Sequence, residues 1–560
     1  MGVGFVNLIG CAIILLPIYR YNSKKVHIVK RFSLSVTYEL LFLALLSALL
    51  VGCSAPSSGA RIVYGLTLAP SGIDPHVNAS SELGIPLTSV YDTLVYQDPE
   101  TGKFVPGLAE RWEVSEDRLI YTFYLRRGII FHDGAPFNAE AVRFNLERIT
   151  NPDLASQKAR FMLGPYERTE VVDEHTVQIH LSEPFAPLLD ALSQVYLGMV
   201  SPAAVEQWGD EYQLHQVGTG PFIFAEYVPG DHLLLQRNPD YAWGPPVYSS
   251  RDAVTAPRLE EIEFRFFKDP AIRSPALETG EVDVMGEIPP QDIARLEGNS
   301  DFRIESVPIP GVSLMVFMNT ARQPLDDIRV RQALLYGTDR RAITSAVFRD
   351  TSPVAHGPLA AVTFGYEPAI QKTYPYDPAR AATLLDQAGW SDTDDDTIRD
   401  RDGEPLVLDL YLMGWGYMPE VGQLLAAQWS ELGVGVNSQA VSYPEALQVA
   451  SEGRHHLIPF NLSGSDPDIL RKFFHSQANF NWSKVDDPEL DAWLEDGARI
   501  SDQRQRVTLY SQVQLQVMDQ ALVIPIRDYV NLNGVSNRVQ GLLFDAQGWF
   551  PWLVDVTLEN

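Results

Sequence analysis

The amino-acid sequence predicts an α/β protein with at least two lobes. The chain has 560 residues, whereas a single hydrophobic core stops growing at roughly 250–300 residues. Its hydrophobic share of 45% and charged share of 21% are ordinary for a globular protein and argue against disorder or a multi-span membrane protein. From Arg61 onward, apolar residues recur with a period of two in some segments and of 3.6 in others, as strands and helices require.

The segments with a period of two predict the strands. Alternate side chains of a strand point to opposite faces, so this period is typical of a strand with one buried face. In chain order the predicted strands are residues 62–68, 120–125, 177–181, 233–237, 262–267, 313–319, 406–412, 434–440, 457–460 and 523–526.

Capping residues mark the predicted helices. Asp377 can accept from free backbone N–H groups, Pro378 suits the first helical position and Gly389 suits the position after the end, which predicts a helix over residues 378–388. Asp487-Pro488 opens another helix in the same way. Two more helices are predicted over residues 419–432 and 502–521.

The net charge excludes some classes of partner. The chain carries −29, and residues 1–52 hold a local +4, which leaves −33 for the rest. Phosphate backbones would repel so acidic a body, so we expect no nucleic-acid partner. With only two cysteines, Cys11 and Cys53, no disulfide framework is possible beyond the N-terminal region.

The N-terminus carries an export signal. Four basic residues, Lys24, Lys25, Lys30 and Arg31, precede an apolar run over residues 40–51, which is too short to span a bilayer. The run ends in Leu50-Val51-Gly52-Cys53, which resembles a lipobox, and residues 53–60 resemble a flexible tether. This order predicts a leader over residues 1–52, lipidation of Cys53 and anchoring to the cell membrane on the periplasmic side.

A second apolar run, residues 5–19, precedes the basic stretch, although a lipoprotein signal needs only one. Either translation starts further along, near Val26 or Val29, or an extra hydrophobic segment precedes the signal. The first alternative is favoured.

An ordered series of motifs resembles the peptide- and nickel-binding family of ABC solute-binding proteins, family 5. It includes Phe131-His132-Asp133-Gly134, Gly218-Thr219-Gly220-Pro221-Phe222 and Arg237-Asn238-Pro239-Asp240-Tyr241. Further members of the series are residues 91–95, 106–112, 137–142, 278–283, 329–333, 376–378 and 388–390. The specificity lies in the order of the series, which runs from Ile62 to the C-terminus.

The resemblance implies a two-lobed fold like that of periplasmic binding proteins, of the large peptide-binder type, with a hinge. Lobe I would span residues 61–310, with an extra subdomain over roughly 86–216, and lobe II residues 311–527. Residues 528–560 would return to lobe I. The implied function is capture of a small solute, a peptide above all, and its delivery to an ABC permease with its ATPase subunits. We expect a monomer without a cofactor.

The same resemblance locates the ligand site and shows two departures from the family. Peptide binders of this family hold the ligand's amino group with an Asp at the position that falls near Ser463, and its carboxylate with an Arg just after the strand over residues 406–412. This sequence has no carboxylate at the first position and Trp415 and Tyr417 near the second. The candidate ligand-binding residues are Trp415, Tyr417, Tyr443, Phe460, Asn461, Ser463, Asp466 and Asp468.

Without these two anchors, the ligand class stays open. A longer peptide can be held by backbone hydrogen bonds, whereas a neutral oligosaccharide would stack on Trp415 and Tyr417. Asp466 or Asp468 could take over the amine, but capping of the helix that follows is favoured for both.

An acidic loop offers a candidate calcium site. Asp392, Asp394, Asp396 and Asp400 stand at alternate or nearby positions, as in oxygen-ligand calcium loops. Thr397 occupies the sixth position, where such loops need Gly, and Gly403 the twelfth, where they need Glu. A solvated acidic loop is therefore favoured over a metal site.

The sequence gives little support to an enzyme. It has no Gly-x-Ser-x-Gly, His-Glu-x-x-His or phosphate-loop motif. We expect His455-His456 to be a surface pair, and Arg329 and Arg331 to form surface ion pairs with Asp326 or Asp327. An exported hydrolase is the distant alternative.

Overall fold

A computed structural model describes residues 60–68, 72–77, 81–156, 158–245, 247 and 256–559. The predicted leader, the lipobox with Cys53 and most of the tether lie outside these residues. Within them, each predicted strand and helix is present, with bounds that differ by no more than three residues.

Seven strands form the large sheet. Its order is Phe302–Pro308, Val530–Ser536, Val284–Met285, Arg61–Leu66, Glu261–Phe266, His232–Arg237 and Phe222–Val228. Arg61–Leu66 runs parallel to both of its neighbours, with Tyr64 opposite Phe264 and Val284, and the other pairings are antiparallel. One strand from near the C-terminus therefore lies inside a sheet built mainly from the first half of the chain.

A four-stranded sheet accompanies the large sheet. Its order is Ala109–Val114, Ile120–Leu125, Thr176–Leu181 and Tyr166–Asp173, and every pairing is antiparallel. The helix Ala139–Thr150 packs on it and begins at Asn138, whose side chain accepts from the Ala141 amide. The remaining helices of this half are Ser81–Leu87, Lys158–Met162, Leu188–Ala191, Pro202–Trp208, Pro270–Glu278 and Ile293–Glu297.

Five strands form the second sheet, in the order Gly435–Val441, Val407–Met413, Leu457–Ser463, Gly311–Met318 and Val523–Arg527. The first three are parallel, as expected for strands joined through helices, and the last two are antiparallel to their neighbours. Every residue of Gly311–Met318 is buried, since helices and loops cover both faces of this central strand.

Eight helices of the described chain accompany the second sheet. Asp377 and Asp487 cap two of them through their carboxylates, as the sequence predicts, and Asp502 caps a third in the same way. The eight are Ile328–Tyr336, Arg340–Phe348, Pro378–Gln387, Met418–Ser430, Tyr443–Ser451, Arg471–Phe474, Pro488–Arg499 and Gln503–Asp519.

Short elements complete the chain. Two-stranded hairpins or pairs are Val95–Gln97 with Phe104–Pro106, Asp400–Arg401 with Glu404–Pro405, Val539–Gln540 with Thr557–Leu558, and Leu543–Phe544 with Pro551–Trp552. Single 3₁₀ turns cover Pro152–Leu154, Val195–Leu197, Gly209–Leu214, Pro290–Asp292, Pro368–Lys372 and Pro467–Leu470. Within the described residues, no helix combines the length and the apolar character needed to cross a bilayer.

Each of the two main sheets has its own hydrophobic core. The core around the second sheet draws its buried members from between Val312 and Ile526. The largest core around the first two sheets takes its members from Ile62 to Val284, from Ala498 and from Val535 to Val556. Two short links join the sheets: Ile309-Pro310 separates Phe302–Pro308 from Gly311–Met318, and Asp528-Tyr529 separates Val523–Arg527 from Val530–Ser536.

The first link requires glycine at its end. Gly311 has φ of +128°, a conformation that side chains disfavour. A Cβ there would collide with the Leu462 carbonyl and lie 2.7 Å from the Gly464 nitrogen. The chain therefore passes between the two sheets at a point where its backbone touches the strand Leu457–Ser463.

Candidate ligand cleft

The carboxyl ends of three parallel strands meet at one edge of the second sheet. Three segments that follow these ends lie side by side: Gly414 with Trp415, Ser442 with Tyr443, and the residues after Ser463. Ligands of α/β proteins bind outside such an edge, because the strands diverge there and leave a crevice. The links to the large sheet lie at the same edge, since Gly311 pairs with Ser463 and Leu314 pairs with Arg527.

A cavity of about 100 Å³ lies between this edge and the C-terminal segment. Asn461 and Ser463 line one side, and Tyr529 and Trp549 line the other, with their rings 5.4 Å apart. The indole nitrogen of Trp549 is buried and donates to no group of the described chain. A buried donor without an acceptor costs free energy, so this N–H is a candidate for a hydrogen bond to a ligand.

One edge of the strand Leu457–Ser463 is open at the residues that also line the cavity. Gly311–Met318 pairs with one edge as far as Ser463, whereas Val407–Met413 reaches the other edge only at Leu457. Among the described residues, no strand therefore pairs with the outer edge of the segment from Phe460 to Ser463. Its backbone groups can receive an extended ligand.

Three of the predicted aromatic residues come together at the mouth of the cleft. Tyr443 stacks on Phe460 at 6.2 Å between ring centroids, and Trp415 meets Tyr443 edge-on at 5.8 Å. Phe480 and Trp482 extend the same surface behind Phe460. We call these five residues the aromatic wall. Trp415 is 43% exposed and Tyr443 37%, so the outer part of the wall is free to contact a ligand.

Tyr417 lies apart from this wall. Its backbone is left-handed, with φ of 62°, and its ring packs edge-on against Phe348 at 5.8 Å. Burial raises the pKa of its hydroxyl to about 12, and the charges of Arg273, Glu287 and Arg527 lie near it. The structure thus places Tyr417 beside the links between the sheets.

Both predicted aspartates are held by arginines. Asp466 accepts from Arg506 at 2.6 and 2.8 Å and from the Asp468 amide, where it caps the turn Pro467–Leu470 as predicted. Asp468 instead pairs with Arg471 at 2.7 and 2.9 Å, so the capping prediction is wrong for this residue. The guanidinium is a better partner for this buried carboxylate than backbone amides, because it also carries the balancing charge.

Several contacts cross the cleft. Asp190 accepts from the hydroxyl of Ser465, and Gln547 donates to the same hydroxyl at 2.6 Å. Burial, and then repulsion by Asp466, raise the pKa of Asp190 to about 7. Nearby, the Ala186 amide donates to the Ala498 carbonyl at 2.7 Å. The elements that carry the two main sheets are therefore in direct contact across the crevice.

A comparison with known families decides the family. The model of the bacterial extracellular solute-binding proteins, family 5 Middle, matches residues 103–483, more than half of the chain. The chain belongs to this family. The resemblance seen in the motifs is confirmed, and the protein is an extracytoplasmic solute-binding protein rather than an enzyme.

Curated relatives of this family 5 protein bind different solutes. The chain is 28% identical over 541 residues to the dipeptide-binding protein of Escherichia coli, which covers 90% of this chain and 96% of that protein. It is also 28% identical over 533 residues to heme-binding protein A of Haemophilus influenzae, over 88% of this chain and 91% of that one. Identity at this level leaves the solute open.

Solved structures confirm the two-lobed fold of the family. NikA from Brucella suis, solved with Fe(III)-EDTA, superposes with a TM-score of 0.79 at 24% identity and covers 89% of this chain and 100% of its own. DppA from Helicobacter pylori, solved with the peptide STSA, superposes with a TM-score of 0.75 at 23% identity, over 90% of this chain and 98% of its own. The two main sheets have separate cores, as a two-lobed fold requires, and the chain passes between the sheets at Ile309-Pro310 and Asp528-Tyr529.

Three predictions outside the cleft differ from the structure. His455 and His456 are buried and bond to the carbonyls of Trp482 and Gln323, so the expectation of a surface pair is wrong. Arg329 pairs with Asp327 at 2.6 Å as predicted, but Arg331 is buried and donates to backbone carbonyls of Leu325 and Gln520. All three side chains are buried by packing between segments far apart in the chain, and the neighbouring residues in the sequence do not indicate this packing.

The acidic loop gathers three of its four predicted carboxylates. Oxygens of Asp392, Asp394 and Asp400 lie within 4.8 Å of one another, while Asp396 turns to accept from the Ile398 amide at 2.7 Å. Asp400 accepts from the amide and hydroxyl of Thr393, so hydrogen bonds inside the loop account for the arrangement. Asp392 and Asp394 are exposed, as expected of a solvated loop.

Sequence reasoning missed the residues that face lobe II from the other side of the cleft. Trp549, Gln547 and Asp190 lie in segments that carry none of the motifs used to locate the site. The aromatic run from Trp549 to Trp552, after the last strand of the large sheet, was the one available signal.

Proposed function

We propose that this protein captures peptides in the cleft and delivers them to an ABC import permease. The observation that carries the proposal is the open edge from Phe460 to Ser463 beside the cavity with the free Trp549 donor. An extended peptide offers donors and acceptors along both of its edges, so it can pair with such a strand without an anchor for its termini. The names of the dipeptide and di/tripeptide relatives agree with this solute class.

In this proposal, residues 61–310 and 528–560 act as one lobe, residues 311–527 as the other, and roughly 86–216 as the subdomain of the first. The division of the buried cores at Val312 and Ile526 supports these limits. Solute enters when the contacts of Ser465 with Asp190 and Gln547 open, and it is enclosed when they form again.

A neutral oligosaccharide is the second candidate, because the exposed ring of Trp415 offers a stacking face. Tyr417, the other ring expected to take part, packs against Phe348 instead. The open strand edge has no role in such a complex, which favours the peptide.

The test combines a ligand screen with a variant of the free donor. A thermal-shift screen compares a random tetrapeptide pool, dipeptides and maltooligosaccharides, and we expect the tetrapeptides to stabilise the protein most. Trp549→Phe removes the indole N–H and should weaken tetrapeptide binding about 3- to 10-fold, because one hydrogen bond to the ligand is lost.

The matched control is Trp390→Phe, since the indole nitrogen of Trp390 is also buried without a partner in the described chain but lies in the core of lobe II. This variant should bind the pool like wild type. Stabilisation by maltooligosaccharides alone would contradict the peptide proposal and favour the second candidate.

We also propose that the mature protein is a monomer held at the membrane by an acylated Cys53. The sequence Leu50-Val51-Gly52-Cys53 after a basic stretch and an apolar run supports the anchor. Labelling with a radioactive fatty acid should mark the wild type and leave Cys53→Ala unlabelled. Equal labelling of both would contradict the anchor.

A further inference from the structure

Two lysines, Lys158 of lobe I and Lys472 of lobe II, lie near each other where the lobes meet. Lys158 begins the short helix Lys158–Met162 of lobe I, and its ammonium lies 3.7 Å from the centre of the Tyr196 ring. Lys472 belongs to the helix Arg471–Phe474 of lobe II. Its ammonium lies 4.5 Å from the ring of Phe480 in the aromatic wall and 5.1 Å from the ring of Phe161 in lobe I.

Neither ammonium has an anionic partner. Within the described chain, neither lysine makes an ion pair, although the neighbouring cations Arg471 and Arg506 each hold a carboxylate. Aromatic faces attract a cation only weakly compared with a carboxylate. Two like charges partly withdrawn from water without counter-charges destabilise a protein, and such an arrangement persists where a ligand supplies the missing charge.

The acids nearest to the lysines are already occupied. Asp190 accepts from Ser465 and Gln194, and Asp545 accepts from the backbone amides of Gln547 and Phe550. Burial raises the pKa of each carboxyl to about 7, so both are largely protonated in acidic medium. They are therefore poor counter-charges for the lysines.

The pKa shifts of the two lysines agree with their lack of an anionic partner. Burial, followed by repulsion from Lys472, lowers the pKa of Lys158 to about 7, against the weaker opposing pull of Asp190 and Asp545. Burial lowers the pKa of Lys472 to about 8. An anion placed between the two ammoniums would reverse both shifts.

We propose that Lys158 and Lys472 form an anion subsite that receives a carboxylate of the bound solute, with one lysine supplied by each lobe. The subsite rests on the proposed function in that the cleft must bind a solute. It names the class of that solute: a molecule that carries a carboxylate beside an apolar or aromatic portion, which the aromatic wall contacts. The subsite also explains how the protein can bind a ligand carboxylate although no Arg follows the strand Val407–Met413.

The carboxylate can belong to a peptide C-terminus or to a free organic acid, and the experiment separates these sources. Calorimetry compares a random tetrapeptide pool with a free C-terminus, the same pool as C-terminal amides, and citrate. Wild type should bind the free-acid pool at least about 30-fold more tightly than the amides, because each ammonium loses its partner in the amide complex.

Lys158→Met and Lys472→Met keep the length and apolar part of each side chain and remove its charge. Each should bring the affinity for the free-acid pool close to that for the amides. Lys484→Met is the control, since Lys484 lies in an open groove with Asp409 and Arg454 on lobe II, and it should bind like wild type. For wild type, the preference for the free acid should decline as pH rises through about 7 to 8, since the free lysines lose their protons there, and this decline should be absent from the double Met variant.

The outcomes distinguish the subsite from the proposed function. Tight binding of both pools with equal affinity would overturn the subsite and leave peptide capture standing. Binding of citrate alone, lost in the Met variants, would support the subsite and contradict peptide capture. No binding of any carboxylate probe would overturn the subsite. Thermal melting of the ligand-free Met variants at or above the wild-type temperature supports a ligand role, whereas a fall of many degrees without any change in ligand preference would overturn it.

Discussion

Asp190 gives the protein a testable pH dependence at the scale of a single residue. Its pKa is about 7 in the folded state, against 3.8 for an ordinary carboxyl, because of burial and then repulsion by Asp466. The folded state thus binds this proton more tightly than the unfolded state, and the contribution to stability is lost as pH rises from about 4 to about 7. Asp190→Asn stays neutral, so relative to wild type it should gain up to about 4 kcal/mol between pH 4 and pH 8.

Urea unfolding of both proteins across this range measures the difference. Asp92 and Asp528 also have raised pKa values, but they are present in both proteins and cancel in the comparison. Asp210→Asn, at an exposed carboxyl, serves as the control variant. A difference between Asp190→Asn and wild type that stays constant with pH would show that the Asp190 carboxyl ionises normally.

Single residues of the cleft were predictable only where the family resemblance supplied a position. Ser463 and Asn461 were located in this way, and the structure places both in the cavity lining. Asp190 and Trp549 gave no such signal, because their role depends on the distance between segments far apart in the chain. The contact of Asp190 with Ser465 joins residues 275 positions apart.

At the scale of an element, different residues of the aromatic wall should contribute to stability and to ligand binding. Phe460 is 6% exposed and contacts several rings, so Phe460→Ala should cost about 3–5 kcal/mol of unfolding free energy through the cavity that it leaves. Trp415 is 43% exposed and meets only Tyr443 among the rings of the described chain. Trp415→Ala should cost less than about 1 kcal/mol.

Chemical denaturation and tetrapeptide affinity, measured on both variants, check this expectation. Trp415→Ala should weaken binding while it leaves the unfolding midpoint nearly unchanged. Leu425→Ala, in the lobe II core away from the wall, serves as a stability control for Phe460→Ala. A large loss of stability in Trp415→Ala would mean that its ring supports the fold rather than the ligand.

Elements were the most predictable part of this protein. Caps such as Asp377 and Asp487 act through a local hydrogen bond, so their spacing in the sequence suffices to locate the helix. His456 shows the limit of this reasoning. Its place just before the strand Leu457–Ser463 was predictable, but its burial follows from Asp409, whose amide donates to the ring, and from Gln323.

At the scale of the whole molecule, the negative net charge opposes the approach of an anionic solute to the subsite. The chain carries −29, so an anionic solute is repelled until it reaches the lysines. The Debye length falls from about 30 Å at 0.01 M salt to about 8 Å at 0.15 M, which removes this long-range repulsion. The association rate of an N-acetylated tetrapeptide with a free carboxylate should therefore rise several-fold with salt over this range.

Stopped-flow tryptophan fluorescence measures this rate. The C-terminal amide of the same peptide is neutral, and its rate should be nearly independent of salt. A rate for the free acid that falls with salt would show that the lysines, rather than the net charge, govern the approach of the solute.

The two-lobed architecture was predictable as a whole, because the order of the motifs identifies the family and length alone requires more than one core. The contacts between the lobes were not predictable. Contacts such as Ala186 with Ala498 join backbone groups, and no side-chain pattern marks them.

The position of Val530–Ser536 in the large sheet has a consequence for folding. This strand lies between Phe302–Pro308 and Val284–Met285, and it brings Asn533 to the hydroxyl of Tyr64, 469 residues away along the chain. Loop-closure entropy of this size makes the contact a late and slow step. A nascent chain that has not yet released residue 530 lacks one strand of lobe I, so lobe I cannot complete its fold on the ribosome, whereas all five strands of the lobe II sheet are synthesised before that point.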